Sequence, residues 1–289
     1  FQSVTGDGWV DGSTSENINY NIERLIKYLL SKYPDKIFPI FHEENLYSQG
    51  VRGMFLNFVF PKARGKYIAL CEGDDYWTDP LKLQKQVNFL ESHPEYSLTC
   101  SDATVLGNSG ELTWKRYDES CEVPIKDVIL KRGAWIYTAS MLYRWELMQD
   151  FPDFSRNCHV VDYPMAIHLA LRGKVYFFAE KMVTYRFLTA GSWSARTSIN
   201  EAYFNSWLSE IRMLQGYNEQ SQGKYATYFQ AVMGKLAIFY LRHVPGMKNK
   251  VLSALPNFPK WLDLSDKLKW WRIILGISGL KAKLKKTYK

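Results

Sequence analysis

The chain is poor in the residues that build metal knots and covalent scaffolds: 5 histidines and 4 cysteines in 289 residues. No two of Cys71, Cys100, Cys121 and Cys158 form a C-x-x-C pair, and no histidine stands near them at zinc spacing. That excludes a zinc ribbon or a disulfide framework, and free thiols in a reducing cytoplasm are expected. Long apolar runs are also missing. Tyr67–Cys71 and Ile273–Ile277 fall far short of the ~20 residues that cross a bilayer. No basic-then-apolar stretch reads as a signal peptide, and there is no internal repeat. Gly 18 and Pro 11 exclude collagen-like and low-complexity classes, and 46% hydrophobic residues exclude a disordered chain. The length fits one large domain or two smaller ones.

Acidic residues are absent from the last stretch. Eight basic residues lie between Lys267 and Lys289, equal to the whole formal net charge of +8, so the rest is balanced at 29 basic and 29 acidic. A balanced body argues against a basic groove for nucleic acid, and no nucleic-acid partner is expected. The tail mixes Trp270, Trp271, Ile273, Ile274, Leu275 and Ile277 with lysines. Such a mixture suits an interfacial helix on an anionic membrane surface. The alternative is a terminal helix packed on the body through its tryptophans.

What is there reads as helix and strand in alternation up to about residue 180. Residues 17–33 carry apolar side chains at helical spacing, Lys36–Phe41 is β-like, and Val51–Ala63 reads as a helix. Lys66–Cys71 is a short continuous apolar run, as in a buried parallel strand. Asp79 and Pro80 predict an N-cap and N1 for a helix over Leu81–Ser92. Strands are expected at Tyr96–Cys100, Val175–Phe178 and Met182–Phe187, a turn at Gly107–Gly110, and helices at Asp162–Leu171, Glu201–Gln215 and Tyr225–His243. The pattern predicts an α/β fold with a mostly parallel sheet flanked by helices, then a helical C-terminal region. Ligands of such sheets bind beyond the carboxyl ends of the strands.

That position is acidic. Glu72, Asp74 and Asp75 follow the Lys66–Cys71 run within four residues. Their mutual repulsion needs solvent, a helix end or a cation, and hard carboxylate oxygens suit Mg²⁺ or Mn²⁺. A solvated acidic turn is the alternative at this point. Asp162, before an apolar-periodic run with Pro164 in its first turn, reads first as an N-cap.

The stretch GKYIALCEGDDYWTDPLKLQKQV, Gly65–Val87, resembles family 2 glycosyltransferases, the large GT-A group of nucleotide-sugar enzymes. The resemblance runs from about residue 9 to 195 and is strongest over 65–103 and 159–194. It implies a GT-A-like domain over 1–195 and a helical region over 196–289. It implies metal-dependent, inverting transfer of a sugar from a nucleotide-diphosphate sugar to a hydroxyl, of the kind that builds polysaccharide at the inner face of the cytoplasmic membrane. The acceptor would be a cell-surface glycan or a lipid-linked precursor.

Carried over residue by residue, Asp75 contacts the metal, Asp74 lies beside it toward the donor, and Glu72 takes the first position of the family's D-x-D-D pattern. Asp162 stands where the family has its general base, although Val161 replaces the usual Glu or Gly before it; His159 is a weaker rival. Arg186, at the end of a Tyr-Arg strand, and Ser192 would cover the diphosphate, in a loop that here lacks the family's histidine. Trp193 would stack on a ligand. Gly133–Arg144 resembles the acceptor-side segment, with Trp135, Tyr137, Thr138 and Ser140 as lining candidates. Residues 9–14 resemble the nucleoside-contacting turn, with Val10 in place of its first Asp, Asp11 and Ser13 as substitutes and Asp7 as a weaker one.

Family members begin with a strand and helix, roughly 30 residues, before the stretch that opens at Phe1, and this first strand is expected to be lacking. Either residues before Phe1 supply it or the chain is a truncated relative. Two other functions stand beside sugar transfer: a nucleotidyltransferase, which lacks its phosphate-binding loop here, and a glycosyltransferase-like scaffold without turnover.

Overall fold

The computed structural model of the protein describes residues 24–44, 46, 49, 51, 53–187, 204–244 and 248–274, apart from 25 and 157. The described residues fall into two compact units. One contains the chain up to Val123, Gly133–Phe151 and the described residues from Arg172. The other contains Pro124–Arg132, Pro152–Leu171 and the described residues from Phe204. The helical unit thus takes two segments that precede residue 196.

The first unit is built on a seven-stranded sheet. Its strands are β1 (Tyr67–Ala69), β2 (Tyr76–Trp77), β3 (Tyr96–Gly107), β4 (Gly110–Leu112), β5 (Cys121–Val123), β6 (Leu142–Arg144) and β7 (Lys174–Arg186). They lie in the order β1-β6-β3-β7-β2, with β4 on β3 and β5 on β7. The α/β architecture agrees with the sequence pattern, and strand direction corrects it. Among the described pairings only β3–β7 is parallel, and β1–β6, β3–β6, β2–β7, β3–β4 and β5–β7 are antiparallel. β1, β3 and β7 do point the same way, but the short β6 runs between the first two of them in the opposite sense.

Several local expectations shift. Lys36–Phe41 forms a turn and irregular chain, not a strand, and Phe38 and Phe41 are exposed. Pro39 offers no N–H to a ladder, which explains the loss. Val51–Ala63 is helical only from Met54, as a π-turn at Phe55–Val59 and a 3₁₀ turn at Phe60–Lys62. Gly53 before it has φ +66°, outside any right-handed helix. The two strands expected within 175–187 are one, β7. β3–β7 pairing continues from Phe178 to Lys181 because the register slips at Ser101, Asp102 and Ala103.

Helix α1 (Lys82–Ser92) packs Lys82, Gln86 and Leu90 inward, one every fourth residue. It starts one residue later than the cap signal predicts. Asp79 still organises that end, because its Oδ1 accepts the Leu81 N–H at 2.7 Å. At the other end Arg144 of β6 donates to the carbonyls of Leu90 (2.5 Å) and Tyr96 (2.8 Å). The Leu90 carbonyl also accepts the His93 N–H at 3.4 Å, so two donors close that helix end. Leu90, Tyr96 and Leu142 form the core beneath α1, and Phe89 stacks on Tyr176 at 4.1 Å.

The second unit is helical: α2 (Ile125–Leu130), α3 (Asp153–Arg156), α4 (Asp162–Ala170), α5 (Phe204–Gln220), α6 (Ala226–His243), α7 (Lys248–Ala254) and α8 (Leu264–Ile274). α6 is the central element, burying Phe229, Val232, Met233, Leu236, Ala237, Tyr240 and Leu241. Tyrosine hydroxyls tie the rest: Tyr163 donates to Ile129 O at 2.8 Å and Tyr217 to Pro164 O at 3.0 Å. No described helix is long and apolar enough to cross a membrane.

Candidate functional site

In the first unit the acidic loop is a turn held on both flanks. β1 runs into Leu70 and Cys71, both buried, and Leu70 N–H donates to Met141 O at 3.3 Å. The chain reverses at Glu72-Gly73-Asp74, where Asp75 N–H donates to Glu72 O at 3.1 Å. β2 then pairs with β7, Tyr76 opposite Thr184 and Trp77 opposite Val183. Trp77 Nε1–H donates to Ala139 O at 2.9 Å and to Leu70 O at 3.3 Å, closing the base of the loop.

Asp75 is 5% exposed, and its Oδ1 accepts the backbone N–H of Arg186 at 2.9 Å. The residue that resemblance places on the diphosphate therefore contacts the acidic loop through its main chain. Its exposed guanidinium stands 5.2 Å from the Tyr76 ring centroid. Burial pushes the Asp75 carboxyl up to about 7, the Asp74 charge pushes the same way, and the Arg186 N–H and guanidinium oppose them. A buried carboxylate with a like charge beside it is a place where a cation is favourable.

The donor set fits a hard divalent ion. Asp75 keeps Oδ2, Asp74 lies next to it half-buried, and Glu72 is half-buried at the start of the turn. Among the described residues no three His, Cys, Asp or Glu side chains converge as a ligand group. Mg²⁺ and Mn²⁺ commonly take one or two carboxylates from a protein and their other ligands from phosphates and water.

Trp135, Tyr137 and Ser140 lie in the core of this unit, at 1%, 3% and 0% exposure. Tyr137 O–H donates to Trp114 O (3.3 Å) and Ser140 O–H to Tyr137 O (2.7 Å). Asp11, Ser13, Ser192 and Trp193 lie outside the described residues.

In the second unit Asp162 is the first residue of α4, one position inside the helix, and Val161 takes the N-cap. Its side chain still serves the helix end, because Oδ1 accepts the Tyr163 N–H at 2.8 Å. Burial raises its carboxyl above the usual range, Glu210 adds to this, and the Tyr163 N–H and Arg132 oppose it. A carboxylate raised above its usual range is a better proton acceptor than a free one. Burial lowers His159 and so disfavours its cation.

Four charged residues with unusual surroundings were not singled out by sequence reasoning. Glu210 is 2% exposed and is gripped by Arg132, Nε to Oε1 at 2.7 Å and Nη2 to Oε2 at 2.8 Å. Arg132 holds this fork with φ +54°, a left-handed backbone that costs an arginine about 1 kcal/mol. Lys82 is fully buried behind the acidic loop, 4.5 Å from the Trp77 ring centroid. Asp102 sits 6% exposed at the slip in β3, its Oδ1 accepting the Ala103 N–H at 2.9 Å. Asp102 alone had a sequence signal: it is the one charged residue in the stretch Tyr96–Gly107.

Comparison with solved structures gives the fold. Staphylococcus aureus TarS (residues 1–349) in complex with UDP-GlcNAc superposes with a TM-score of 0.54, at 13% identity, over 84% of this chain and 71% of that one. This likeness shows a GT-A-like α/β fold with a helical C-terminal region. No family model matches the chain. Sequence relatives do, among them the uncharacterized proteins Rv1520 of Mycobacterium tuberculosis and Mb1547 of Mycobacterium bovis. Each is 31% identical over 273 residues, covering 86% of this chain and 72% of the relative. At that identity and coverage, the chain belongs to the family of these mycobacterial proteins.

Proposed function

We propose that the protein transfers a sugar from a nucleotide-diphosphate sugar to a hydroxyl of a glycan or lipid-linked acceptor. The observation that carries this reading is Asp75, buried beside Asp74 at the end of β1 and fixed by the Arg186 N–H at 2.9 Å. The fold adds support, since TarS, which shares it, was solved with UDP-GlcNAc. UDP-sugars are therefore the first donors to test.

In this reading Asp75 and Asp74 hold Mg²⁺ or Mn²⁺, with Glu72 at the edge of the group. Such an ion, when bound, offsets the negative charge that grows on the departing diphosphate. Arg186 and Ser192 add positive charge and a hydroxyl donor on the diphosphate, and Asp11 and Ser13 border the nucleoside. Trp135, Tyr137 and Ser140 shape the acceptor side from beneath its surface, and Trp193 stacks on a sugar face. Asp162 takes the proton of the acceptor hydroxyl. The acceptor oxygen then bonds to the anomeric carbon, and the bond from that carbon to the diphosphate oxygen breaks, with inversion.

The test is the thermal midpoint with UDP, GDP and dTDP, each with and without Mn²⁺, for the wild type and Asp75→Asn. Binding to the native state at a hundredfold excess over Kd stabilises it by about 2.7 kcal/mol. The expected result is a rise with one nucleotide that needs both Mn²⁺ and Asp75. No rise with any nucleotide would end this reading.

A further inference from the structure

Helix α8 has two apolar faces. Trp270 and Asp266 turn inward, at 7% and 6% exposure, and Trp270 meets Phe258 edge-on at 4.9 Å. On the other side Leu264 (76%), Leu268 (57%) and Trp271 (57%) are exposed. At ~100° per residue these three fall within about 60° of arc, a single stripe. Lys267 and Arg272, both exposed, flank it on opposite sides.

α6 and α8 share a groove of about 540 Å³, which α8 lines with Ser265, Asp266 and Lys269 and not with the stripe. Lys235, Phe239 and Arg242 of α6 line it, spaced to share one helix face, and all three are exposed. Its acids are engaged within the unit. Asp263 Oδ1 accepts the Asp266 N–H at 2.8 Å, and Asp266 pairs with Lys269. Arg132, at the groove wall, is engaged by Glu210. Lys235, Arg242, Lys267 and Arg272 have no acidic partner among the described residues.

Exposed leucine and tryptophan interleaved with uncompensated cations suit one class of partner. Apolar side chains enter the acyl boundary while lysine and arginine stay at the headgroup phosphates. An acidic protein partner would satisfy the cations, but it leaves a stripe as exposed as Leu264 without an apolar counterpart. The chain after Ile274 continues the same charge, with Lys281, Lys283, Lys285, Lys286 and Lys289 and no acid. We propose that the outer face of α8, with Leu264, Leu268 and Trp271 flanked by Lys267 and Arg272, is a docking surface for an anionic lipid bilayer. This is independent of the sugar-transfer reading, because it uses none of the same residues.

The experiment is co-sedimentation of the full chain with vesicles of phosphatidylcholine, with and without phosphatidylglycerol. Two double variants go alongside: Leu268→Ser with Trp271→Ser, and Lys267→Glu with Arg272→Glu. All four positions are exposed, and an unchanged thermal midpoint checks that each variant folds. The wild type is expected to bind only the phosphatidylglycerol vesicles, less so at high salt, and each double variant to bind at least tenfold more weakly. Equal binding by the serine variant and wild type would assign the affinity to the basic tail and overturn the proposal. So would wild-type binding to neither vesicle, or displacement by inorganic phosphate, which marks an anion subsite and not a bilayer surface. A fourth overturning result is concentration-dependent self-association that the serine variant abolishes, because the stripe would then be covered by a second copy.

Discussion

Lys82 in the sheet unit and Glu210 in the helical unit are both withdrawn from water, and each is accommodated differently. Glu210 meets an opposite charge in a two-point fork with Arg132. Lys82 meets none: its ammonium donates to Gln86 Oε1 at 2.9 Å and faces the Trp77 ring. Gln86 in turn donates to Ser140 O at 2.8 Å. A buried charge can be kept by pairing or relieved by losing its proton. Lys82 takes the second route, since burial pushes its pKa down to about 7. The pair stabilises by geometry, and the lone lysine links stability to pH.

The largest expected effect breaks the lone charge. The folded-state pKa of Lys82 lies below its ordinary 10.5, so the unfolded chain holds more protons between about 7 and 10.5. Stability then rises with pH across that window, and below it the full cost of burying the ammonium is present. The gain is on the order of 3 kcal/mol. The thiol of Cys71, pushed up to about 11, acts the other way above pH 9. The Asp75 carboxyl, pushed up to about 7, also acts the other way as pH rises through 7. Urea unfolding of wild type and Lys82→Met is therefore compared from pH 8 to 9, where the rise should be lost in the variant.

Breaking the pair comes next. Arg132→Met leaves Glu210 buried and uncompensated, and the loss should be about 3 kcal/mol, at the low end because Arg132 is partly solvated. Adding Glu210→Gln should restore most of it, and a double-mutant cycle by urea unfolding reads the coupling. An additive cycle would refute the pairing account.

The smallest effect sharpens the comparison by testing packing alone in the helical unit. A Cβ at Gly216 of α5 would stand 2.6 Å from the Phe154 ring. Alanine gains about 1 kcal/mol of helix propensity, and the displaced ring costs about 1–3. Gly216→Ala should therefore lower the thermal midpoint slightly, and a second change, Phe154→Ala, should turn that sign positive.

The same contrast shows what a sequence reveals. β1, the acidic loop, α1 and β3 were legible because each is written in adjacent residues: an apolar run, an acidic turn, an Asp-Pro start. β6 was not, because three residues, Leu142–Arg144, carry no periodicity and their place depends on β1 and β3. Nor was the union of two strands in β7, which rests on a slip in its neighbour. Among candidate site residues, Asp74, Asp75 and Asp162 stood out from their neighbours in sequence. Lys82 and Glu210 look like ordinary solvated charges on amphipathic helices, and only tertiary packing removes them from water. Trp135, Tyr137 and Ser140 suggested a lined cleft and turned out fully enclosed.

The bond from Arg186 N–H to Asp75 joins residues 111 positions apart. The loop at the end of β1 is therefore finished only when the last residue of β7 is laid down. Contacts this distant in sequence form late and slow the approach to the native state. On a ribosome adding ~5–20 residues each second, Asp75 would wait on the order of ten seconds for its partner. During that interval the nascent protein carries the acidic motif in full and lacks the backbone donor that fixes it, so the loop takes its final geometry only with the closing strand.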